Sequence, residues 1–320
     1  MSASDHRLGA LCELGARVAG ATGLEDVADA ALVGLDELLG YRHSLLLVHQ
    51  VETDRLVTFA SRGYATGGIG SEVALGEGVI GMAAERRRPM RIGNLQRMLA
   101  YARTVQRAAD SYGGPPGSDI CLPGLSYARS QLAAPMVARG ALVGVVAVES
   151  EQALAFDTID EQILTVVAQL VGAALDLEHV AAADAELVAA PTAEKADARA
   201  PVHTAPVPAP PAPVRLRHYL IDGSVFIDDA YIIKGVAGRL LWKLASEFLA
   251  TGRTAFTNRE ARLDPSLELP AFRDNFESRL ILLKRRLEER DAPLRITAAG
   301  RGRFDFRSEA PLVLERMEPD

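Results

Sequence analysis

The strongest constraint on the fold is a segment past the middle of the chain that cannot build a hydrophobic core. Residues 181–214 contain 13 Ala and 7 Pro among 34 residues and few large apolar side chains. Such a composition buries too little apolar surface to offset the entropy of ordering the chain. We therefore predict a linker at 181–214. Its first part continues the preceding helix to about Ala190, and its Pro-rich part, 201–213, is extended and semi-rigid.

The linker divides the 320 residues into two domains, and the two parts of the chain also differ in net charge. Residues 1–214 carry 16 Lys+Arg against 25 Asp+Glu (−9), and residues 215–320 carry 19 against 17 (+2). This asymmetry favours the C-terminal domain as the part that meets a polyanion. The predicted organisation is a first domain at 1–180, the linker, a second domain at 215–310 and a tail at 311–320.

Cysteine usage and hydropathy indicate the compartment. Cys12 and Cys121 are too few for a disulfide framework and too far apart for a metal or redox motif, which fits a reducing cytoplasm. The N-terminus lacks the pattern of a signal peptide, and no run of 18 apolar residues occurs. We expect a cytoplasmic protein that does not enter a membrane.

The first domain is predicted to combine helices with two β-hairpins. A capping box of Thr22 and Glu25 opens the second helix. A long irregular stretch, 93–127, separates the hairpins, and loops of that length are usually functional or mobile. The predicted elements are helices at 5–20 and 22–40, strands at 44–50 and 56–61, a helix through Arg87, strands at 90–92, 132–138 and 141–150, and a helix from about Thr158.

This order of elements resembles the GAF family. The motifs that carry the resemblance are Gly76-x-Gly78-x2-Gly81, Ser130-Gln-Leu-Ala-Ala-Pro135 followed by Gly140-x3-Gly144-Val145, and Phe156-x3-Asp160-Glu161. The resemblance implies an α+β fold with a central antiparallel sheet, helices on one face and a ligand cavity on the other, roofed by the loop region. It also implies binding rather than catalysis.

The ligand does not follow from the resemblance, because GAF domains take cyclic nucleotides, tetrapyrroles, other metabolites or nothing. The cyclic-nucleotide signature is only half present, since Leu95 rather than Lys follows Asn94. Cys121 is followed by Leu122 rather than the His often beside a tetrapyrrole-binding cysteine. The methionine-sulfoxide-reducing members need several cavity cysteines. Any cofactor or ligand therefore stays unknown at this stage.

Polar side chains of the loop region form the predicted ligand-binding set. Arginines and tyrosines among them suit an anionic or aromatic ligand, and surface loop residues are the alternative interpretation. The set comprises Arg62, Asn94, Tyr101, Tyr127, Arg129 and Ser130, with Tyr64 and Arg103 as further members of the same region.

The last helix of the first domain predicts a homodimer. Its apolar positions, from Ile159 to Leu175, cover more surface than one core-facing stripe requires. GAF domains commonly dimerise through such helices, and contact with the first helix of the same domain is the alternative.

The second domain is predicted to follow the order of a winged helix: short strands, three helices and a β-hairpin. A capping box of Thr257 and Glu260 opens the second of these helices. The predicted elements are strands at 219–221, 224–227 and 231–233, helices at 235–249, from Thr257 to before Pro265 and at 271–290, and hairpin strands at 295–297 and 303–306.

The third of these helices carries the predicted reading surface. An apolar stripe from Phe272 to Leu287 faces the core. A separate row, predicted to be exposed and to reach bases and phosphates, holds Asn275, Arg279, Leu282 and Arg286. Lys284, Arg301 and Arg303 complete the predicted DNA-binding set.

Residues 219–307 resemble the winged-helix output domain of OmpR-type response regulators. The resemblance rests on Arg279-Leu-Ile-Leu-Leu283-Lys284-Arg285-Arg286-Leu287 and on Ile296-Thr297-x2-Gly300-x-Gly302. The sequence departs from the family at two positions: Leu282 stands where those regulators often have Arg, and Arg303 stands where they have Tyr. Residues 272–307 carry 10 Lys+Arg against 6 Asp+Glu, a modest excess for binding phosphates. The resemblance implies double-stranded DNA as partner, and a solvated helix face is the alternative.

Together these patterns predict a one-component transcription regulator, in which the first domain senses a small molecule or sets the dimer state and the second binds DNA. The alternative is a signalling adaptor whose winged helix binds a protein. Enzymatic activity is not expected, because the chain has no phosphate-cradling Gly-Lys motif, no nucleophile elbow and no histidines at metal-ligand spacing.

Overall fold

The computed structural model of the chain describes residues 3–95, 120–188, 212–269, 276–300 and 302–317. The chain divides into two compact units, Met1–His179 and Val180–Asp320. We call them the first and second unit.

The first unit is built from four helices and six strands among its described residues. The helices are α1 (Ala3–Gly20), α2 (Leu24–Leu39), α3 (Gly78–Arg86) and α4 (Thr158–Val188), the last of which runs past the end of the unit. The strands are β1 (His43–Gln50), β2 (Arg55–Arg62), β3 (Glu72–Ala74), β4 (Met90–Ile92), β5 (Ser130–Ala138) and β6 (Ala141–Ser150). They form one antiparallel sheet in the order β3-β2-β1-β6-β5-β4. The predicted α+β fold with a central antiparallel sheet is confirmed.

Local sequence explains the tight turn between β5 and β6. Arg139 and Gly140 both have positive φ, 48° and 77°, which is the backbone of a two-residue hairpin turn that matches the strand twist. The predicted capping box at α2 is wrong, however. Gly23 precedes the helix and provides no side-chain cap, while the Thr22 hydroxyl donates to Asp26 at 3.3 Å.

The helices α1, α2 and α4 pack together on one face of the sheet. Gly172 of α4 lies against Met136, with Met136 Cβ 3.0 Å from the place a Cβ of Gly172 would occupy. The Gln169 amide donates to the carbonyl of Pro135 at 3.1 Å. Gly15 of α1 faces Leu170 in turn. Small residues thus let the helices approach the sheet and each other closely.

One helix among the described residues is long and apolar enough to cross a membrane by length and composition. It is Thr158–Glu178, whose most apolar 18-residue window has a mean hydropathy of 1.3 and is 44% buried. Leu164, Val167, Val171 and Leu175 of this helix are buried in the core of the first unit. The core helix of a domain that folds in water has these properties as well.

The second unit has three described α-helices and seven strands. The helices are α5 (Gly235–Thr251), α6 (Asn258–Arg262) and α7 (Phe276–Glu289), with a 3-10 turn at Pro265–Leu267. The strands are β7 (Val214–Tyr219), β8 (Val225–Ile227), β9 (Ala230–Ile233), β10 (Ala255–Thr257), β11 (Leu294–Ala298), β12 (Arg303–Ser308) and β13 (Leu312–Met317). The Thr257 hydroxyl accepts from the amide of Glu260 at 3.2 Å, as the predicted capping box requires.

The strands of the second unit form two sheets. One has the order β10-β12-β11, and the other has the order β13-β7-β8-β9. The segment predicted as a tail, 311–320, contains β13, which pairs in parallel with β7 from Leu312↔Val214 to Met317↔Tyr219. The sequence interpretation failed here because the partner of β13 lies about a hundred residues earlier in the chain.

Candidate functional site

The sheet face opposite α1, α2 and α4 carries α3 and a packed apolar cluster. Alternate residues of a strand point to opposite faces, so Leu45 and Leu47 of β1 join Val145 and Ala147 of β6 on this side. The other buried members are Leu56, Val73, Val79, Ile80, Ala83, Ala84, Leu95, Ala128 and Ala133. Side chains of α3, and Leu95 and Ala128 from the two ends of the loop between β4 and β5, therefore fill much of the sheet face on which the resemblance implied a ligand cavity.

A buried polar group ends this apolar face. Glu149 continues the alternation of Val145 and Ala147 on β6, and its register partners are His43 on β1 and Gln131 on β5. Glu149 is only 8% exposed. Its Oε1 accepts from Gln131 Nε2 at 2.9 Å, and its Oε2 accepts from the Leu125 amide at 3.0 Å and, more weakly, from the Tyr64 hydroxyl at 3.4 Å. Three donors thus converge on one carboxylate.

The electrostatics of this group are set mainly by burial. Burial raises the pKa of Glu149, and the hydrogen bonds from the Leu125 amide and the Tyr64 hydroxyl offset part of that effect. Burial and the neighbouring Glu149 carboxylate also raise the pKa of Tyr64, so this hydroxyl stays protonated. A buried carboxyl with a perturbed pKa in a cleft is a candidate for a binding group.

Glu149 and His43 line a cleft of about 720 Å³ at the end of the sheet. The cleft is open to solvent, and the start of β1, the end of β6 and the N-terminal parts of α1 and α4 surround it. Its lining is His6, Arg7, Leu38, Leu39, Gly40, Tyr41, Arg42, His43, Glu149, Ser150, Glu151, Gln152, Ala155, Phe156 and Asp160. The volume is in the range of small-molecule sites in proteins.

The Phe-x3-Asp motif shapes one wall of this cleft. The Tyr41 hydroxyl donates to Asp160 Oδ1 at 2.6 Å in a buried contact, and the Tyr41 ring packs edge-on against Phe156 at 5.7 Å between centroids. Arg7 of α1 reaches Asp157 and Asp160 at 3.1 and 3.5 Å. Phe156 and Asp160 therefore fasten α4 to β1 and α1, which accounts for the motif without any nucleotide.

The predicted ligand-binding set does not come together at the cleft. None of its five described members lines it. Arg62 points to the helix face and pairs with Asp36 at 2.8 Å, whereas Ser130 is fully buried and donates to the carbonyl of Gln152. The exposed members are Asn94, Tyr127 and Arg129, while Tyr101 lies outside the described residues, as does Arg103.

The prediction followed residue type along a loop rather than strand register, and a ligand-binding role for its exposed members stays a prediction. Tyr64 of the wider set does reach the buried carboxylate. Glu149, Gln131 and His43 were missed, although one signal pointed to the first of them. Glu149 is the only charged residue in the run from Gly144 to Ser150, and a period of two places it beside Val145 and Ala147. Cys121 is exposed and has no disulfide partner.

The row predicted to read DNA is also placed differently from the expectation. Arg279, Leu282 and Arg286 of α7 are buried, at 4%, 3% and 6% exposure. Arg286 donates from Nε to the Ile232 carbonyl at 2.9 Å and pairs with Glu289 at 2.8 Å. These three side chains are therefore not available to a nucleic acid, and the end of β9 covers Arg286.

The outward face of α7 has mixed charge. Lys284 and Arg285 are half-buried there and Glu288 is exposed, whereas the Glu277 carboxylate binds Asn258 and Arg262 of α6. Of the other predicted DNA-binding residues, Arg303 is exposed at the start of β12, whereas Asn275 and Arg301 lie outside the described residues.

No group of three or more His, Cys, Asp or Glu side chains in the described part of the chain is placed to hold a metal ion.

An antiparallel sheet with helices packed on one face and a cleft at its end defines a small α+β sensory domain. Residues 21–176 match the family model described as a GAF domain, and this part of the chain is a GAF domain. No curated protein matches the chain.

Three solved structures illustrate what the first unit is similar to. The GAF domain of a phosphoenolpyruvate-protein phosphotransferase from Acinetobacter is 19% identical, with 56% of this chain and 97% of that chain covered and a TM-score of 0.44. The corresponding domain from Coxiella burnetii is 21% identical, covering 57% and 99%, with a TM-score of 0.43. A free methionine-R-sulfoxide reductase from Neisseria meningitidis, solved with its substrate, is 20% identical, covering 57% and 95%, with a TM-score of 0.44.

Proposed function

We propose that the chain is a non-catalytic, signal-responsive transcription regulator. The GAF domain binds a small molecule at the cleft, and the second unit binds double-stranded DNA as a winged helix. The observation that carries the sensing half is the burial of Glu149 in the lining of an open cleft of about 720 Å³.

The chemistry of the cleft differs from what the loop residues suggested. A carboxylate accepts hydrogen bonds, so the ligand presents N–H groups to Glu149, and an ammonium or amidine group suits it best. Tyr41 and Phe156 supply aromatic surface on the neighbouring wall. The proposed ligand is therefore a nitrogen-rich metabolite rather than an anion.

A thermal-shift screen of the full chain tests the sensing half, with amino acids, polyamines and purine bases as probes. A binding compound is expected to raise the melting temperature of the wild type and to lose this effect in Glu149→Gln. Glu52→Gln serves as matched control, because it makes the same change in the exposed β1–β2 turn. No stabilisation of the wild type by any probe, or equal stabilisation of Glu149→Gln, would contradict the proposal.

Dimerisation through α4 is the second element of the proposal. Ile159, Val166, Leu170 and Leu177 are between 39% and 61% exposed and recur at intervals of seven, four and seven residues. These spacings put them along one side of the helix. An apolar stripe of this kind fits a second copy of the chain.

Sedimentation velocity of the full chain tests the dimer. Val166→Asp is expected to shift the chain from dimer to monomer, because it places a charge in the stripe. Val51→Asp is the control, since Val51 is 54% exposed in the β1–β2 turn. A wild type that sediments as a monomer at tens of micromolar would rule the dimer out.

The DNA-binding half is supported by the order of elements from α5 to β12. Helix α5, strand β10, helices α6 and α7 and the hairpin of β11 and β12 follow the order of a winged helix, and the sheet order is β10-β12-β11. Arg303 and Arg307 are exposed on the hairpin, where they suit contacts to phosphates.

Genome-wide DNA capture with the full chain tests this half. Lys284→Ala and Arg303→Ala are expected to weaken capture and its salt dependence, because each removes a phosphate contact. Arg215→Ala makes the same change in charge on the exposed side of β7 and is the control. Absence of enriched sites in the wild type would contradict DNA binding.

The structure favours one alternative, an adaptor whose second unit binds a protein. The buried Arg279 and Arg286 and the mixed charge on the outward face of α7 are the observations that favour it. Protein surfaces tolerate such mixed charge, whereas a phosphate backbone repels the exposed Glu288. Crosslinking that captures a protein through Lys284, without DNA enrichment, would support the adaptor.

A further inference from the structure

The second unit buries a histidine whose ring nitrogens have no hydrogen-bond partner among the described residues. His218 on β7 is 4% exposed, and both Nδ1 and Nε2 lack a partner. Its ring stacks on Trp242 of α5, with 5.1 Å between centroids and 19° between planes. An imidazolium there would be a buried charge whose two N–H groups have no acceptor among the described residues, which costs more than burying the neutral ring.

The charged groups around His218 oppose its protonation. Arg316 is its register partner on β13, and Arg239 lies one turn before Trp242 on α5. Asp222, in the β7–β8 turn, is the acidic group that faces it, but both carboxylate oxygens of Asp222 accept from Ser224, at 2.9 and 2.7 Å. Burial, then Arg316 and Arg239, lower the pKa of His218, and Asp222 offsets only part of this.

We propose that His218 makes the second unit acid-responsive, because the ring has to leave its place between β7 and α5 in order to hold a proton. Outward movement of His218 separates β7 from α5 and withdraws support from β13, which pairs with β7 along its whole length. The structured, His218-buried state holds at neutral pH, and a loosened state replaces it under acid.

Two contacts carry the acid-induced loosening beyond the four-stranded sheet. Helix α5 packs on α7, and Phe248 of α5 contacts Phe306 of β12 at 5.7 Å between ring centroids. Loosening of α5 therefore reaches the helix and hairpin on which any partner of this unit would bind. This loosening affects the binding surface whether the partner is DNA or a protein.

The direction of the pH dependence follows from proton linkage. The pKa of His218 is lower in the folded state than the value of about 6.5 for an unfolded histidine. The unfolded state therefore binds more protons below that pH. The contribution of His218 to stability is complete above the unfolded pKa and is lost as the pH falls through and below it.

Trp242 provides a local probe, because it is the only tryptophan of the chain. The experiment follows the tryptophan emission of the full chain from pH 8 to pH 5. The wild type is expected to show a transition with a midpoint below about 6.5. His218→Phe keeps a stacked, non-titrating ring and is expected to abolish it, whereas His49→Gln in the first unit is expected to retain it.

Two further measurements keep the test decisive if the Phe variant does not fold. Hydrogen exchange of β7 and β13 amides, corrected for the intrinsic effect of pH, is expected to accelerate in the wild type across the same transition. Arg316→Gln removes an exposed charge that opposes protonation of the buried ring, and it is therefore expected to weaken the acid-induced loosening. A flat wild-type emission with unchanged protection, a transition that persists in His218→Phe, or a larger acid-induced loosening in Arg316→Gln than in the wild type would each overturn the proposal.

Discussion

The amide nitrogen of Leu125 lies 3.0 Å from the Oε2 atom of Glu149. This bond fastens the chain that enters β5 to the buried Glu149 carboxylate on the sheet face that carries α3. Glu149 also lines the open cleft, so a ligand that binds its carboxylate competes with the Leu125 amide or shares its acceptor. Occupancy of the cleft and the position of this loop are therefore linked.

Removal of the Glu149 carboxylate is expected to destabilise the first unit. Glu149→Ala leaves the Leu125 amide and the Gln131 side chain without an acceptor, at a cost of about 1–3 kcal/mol. Glu149→Gln retains an acceptor and is expected to cost less. Native-state hydrogen exchange of β5 and β6 in the full chain measures both. Equal protection in wild type and Glu149→Ala would show that the polar cluster contributes nothing to stability.

The pH dependence of the first unit provides a second test of Glu149. Because burial raises the pKa of this carboxyl, its protonated form stabilises the fold. That contribution is present below the unfolded pKa of about 4.3 and is lost as the pH rises through the folded pKa. The free energy of unfolding of the wild type, relative to Glu149→Gln, is therefore expected to fall from pH 4.5 to pH 8 in urea titrations followed by circular dichroism. A constant difference would contradict the assignment.

The buried hydrogen bond between Tyr41 and Asp160 is expected to support α4. Tyr41→Phe removes the hydroxyl donor from a charged acceptor 2.6 Å away, and bonds of that kind contribute about 1.5–3 kcal/mol. Calorimetry of the full chain is expected to show a lower melting temperature for the first unit. Tyr127→Phe, at a site that is 73% exposed, is the control and should leave the melting temperature unchanged.

Arg286 is expected to act as a structural residue of the second unit. Arg286→Ala uncovers the Ile232 carbonyl and leaves Glu289 without its partner, and the loss of a buried ion pair of this type costs about 3 kcal/mol or more. Urea unfolding followed by Trp242 fluorescence measures this loss. Lys284→Ala, in the same helix but half-buried, is expected to change stability by less than about 0.5 kcal/mol. A stable Arg286→Ala variant would argue that the arginine is free to face a partner.

Strand β13 is expected to be an integral part of the second unit. A chain that ends at Pro311 loses the whole ladder from Leu312↔Val214 to Met317↔Tyr219 and uncovers one edge of β7. Trp242 emission is expected to show a lower urea midpoint for the truncated chain. An unchanged midpoint would mean that 312–317 adds nothing to the fold and behaves as the predicted tail.

Features that depend on neighbouring residues could be predicted from the sequence. The Arg139-Gly140 turn and the Thr257 cap are both present, because each is decided by a few adjacent residues. The cap at Thr22 was a wrong prediction, since Gly23 follows it and the helix begins at Leu24. A sequence that matches a capping box does not determine where the helix begins when an adjacent glycine allows another backbone conformation.

The sequence by itself determined most helices and strands and the GAF assignment, because periodicity and turn residues are local signals, but it missed β3, β10 and β13. Only the tertiary structure decided which charged residues are buried. Glu149 meets Leu125 across 24 residues of sequence and Arg286 meets Ile232 across 54. Residue types alone predicted that α7 exposes a row of DNA-contacting side chains and that polar loop residues surround a ligand. Whether a charge faces water depends on what distant segment packs over it, and that information is held in the packing of the strands and helices rather than in the residues beside it.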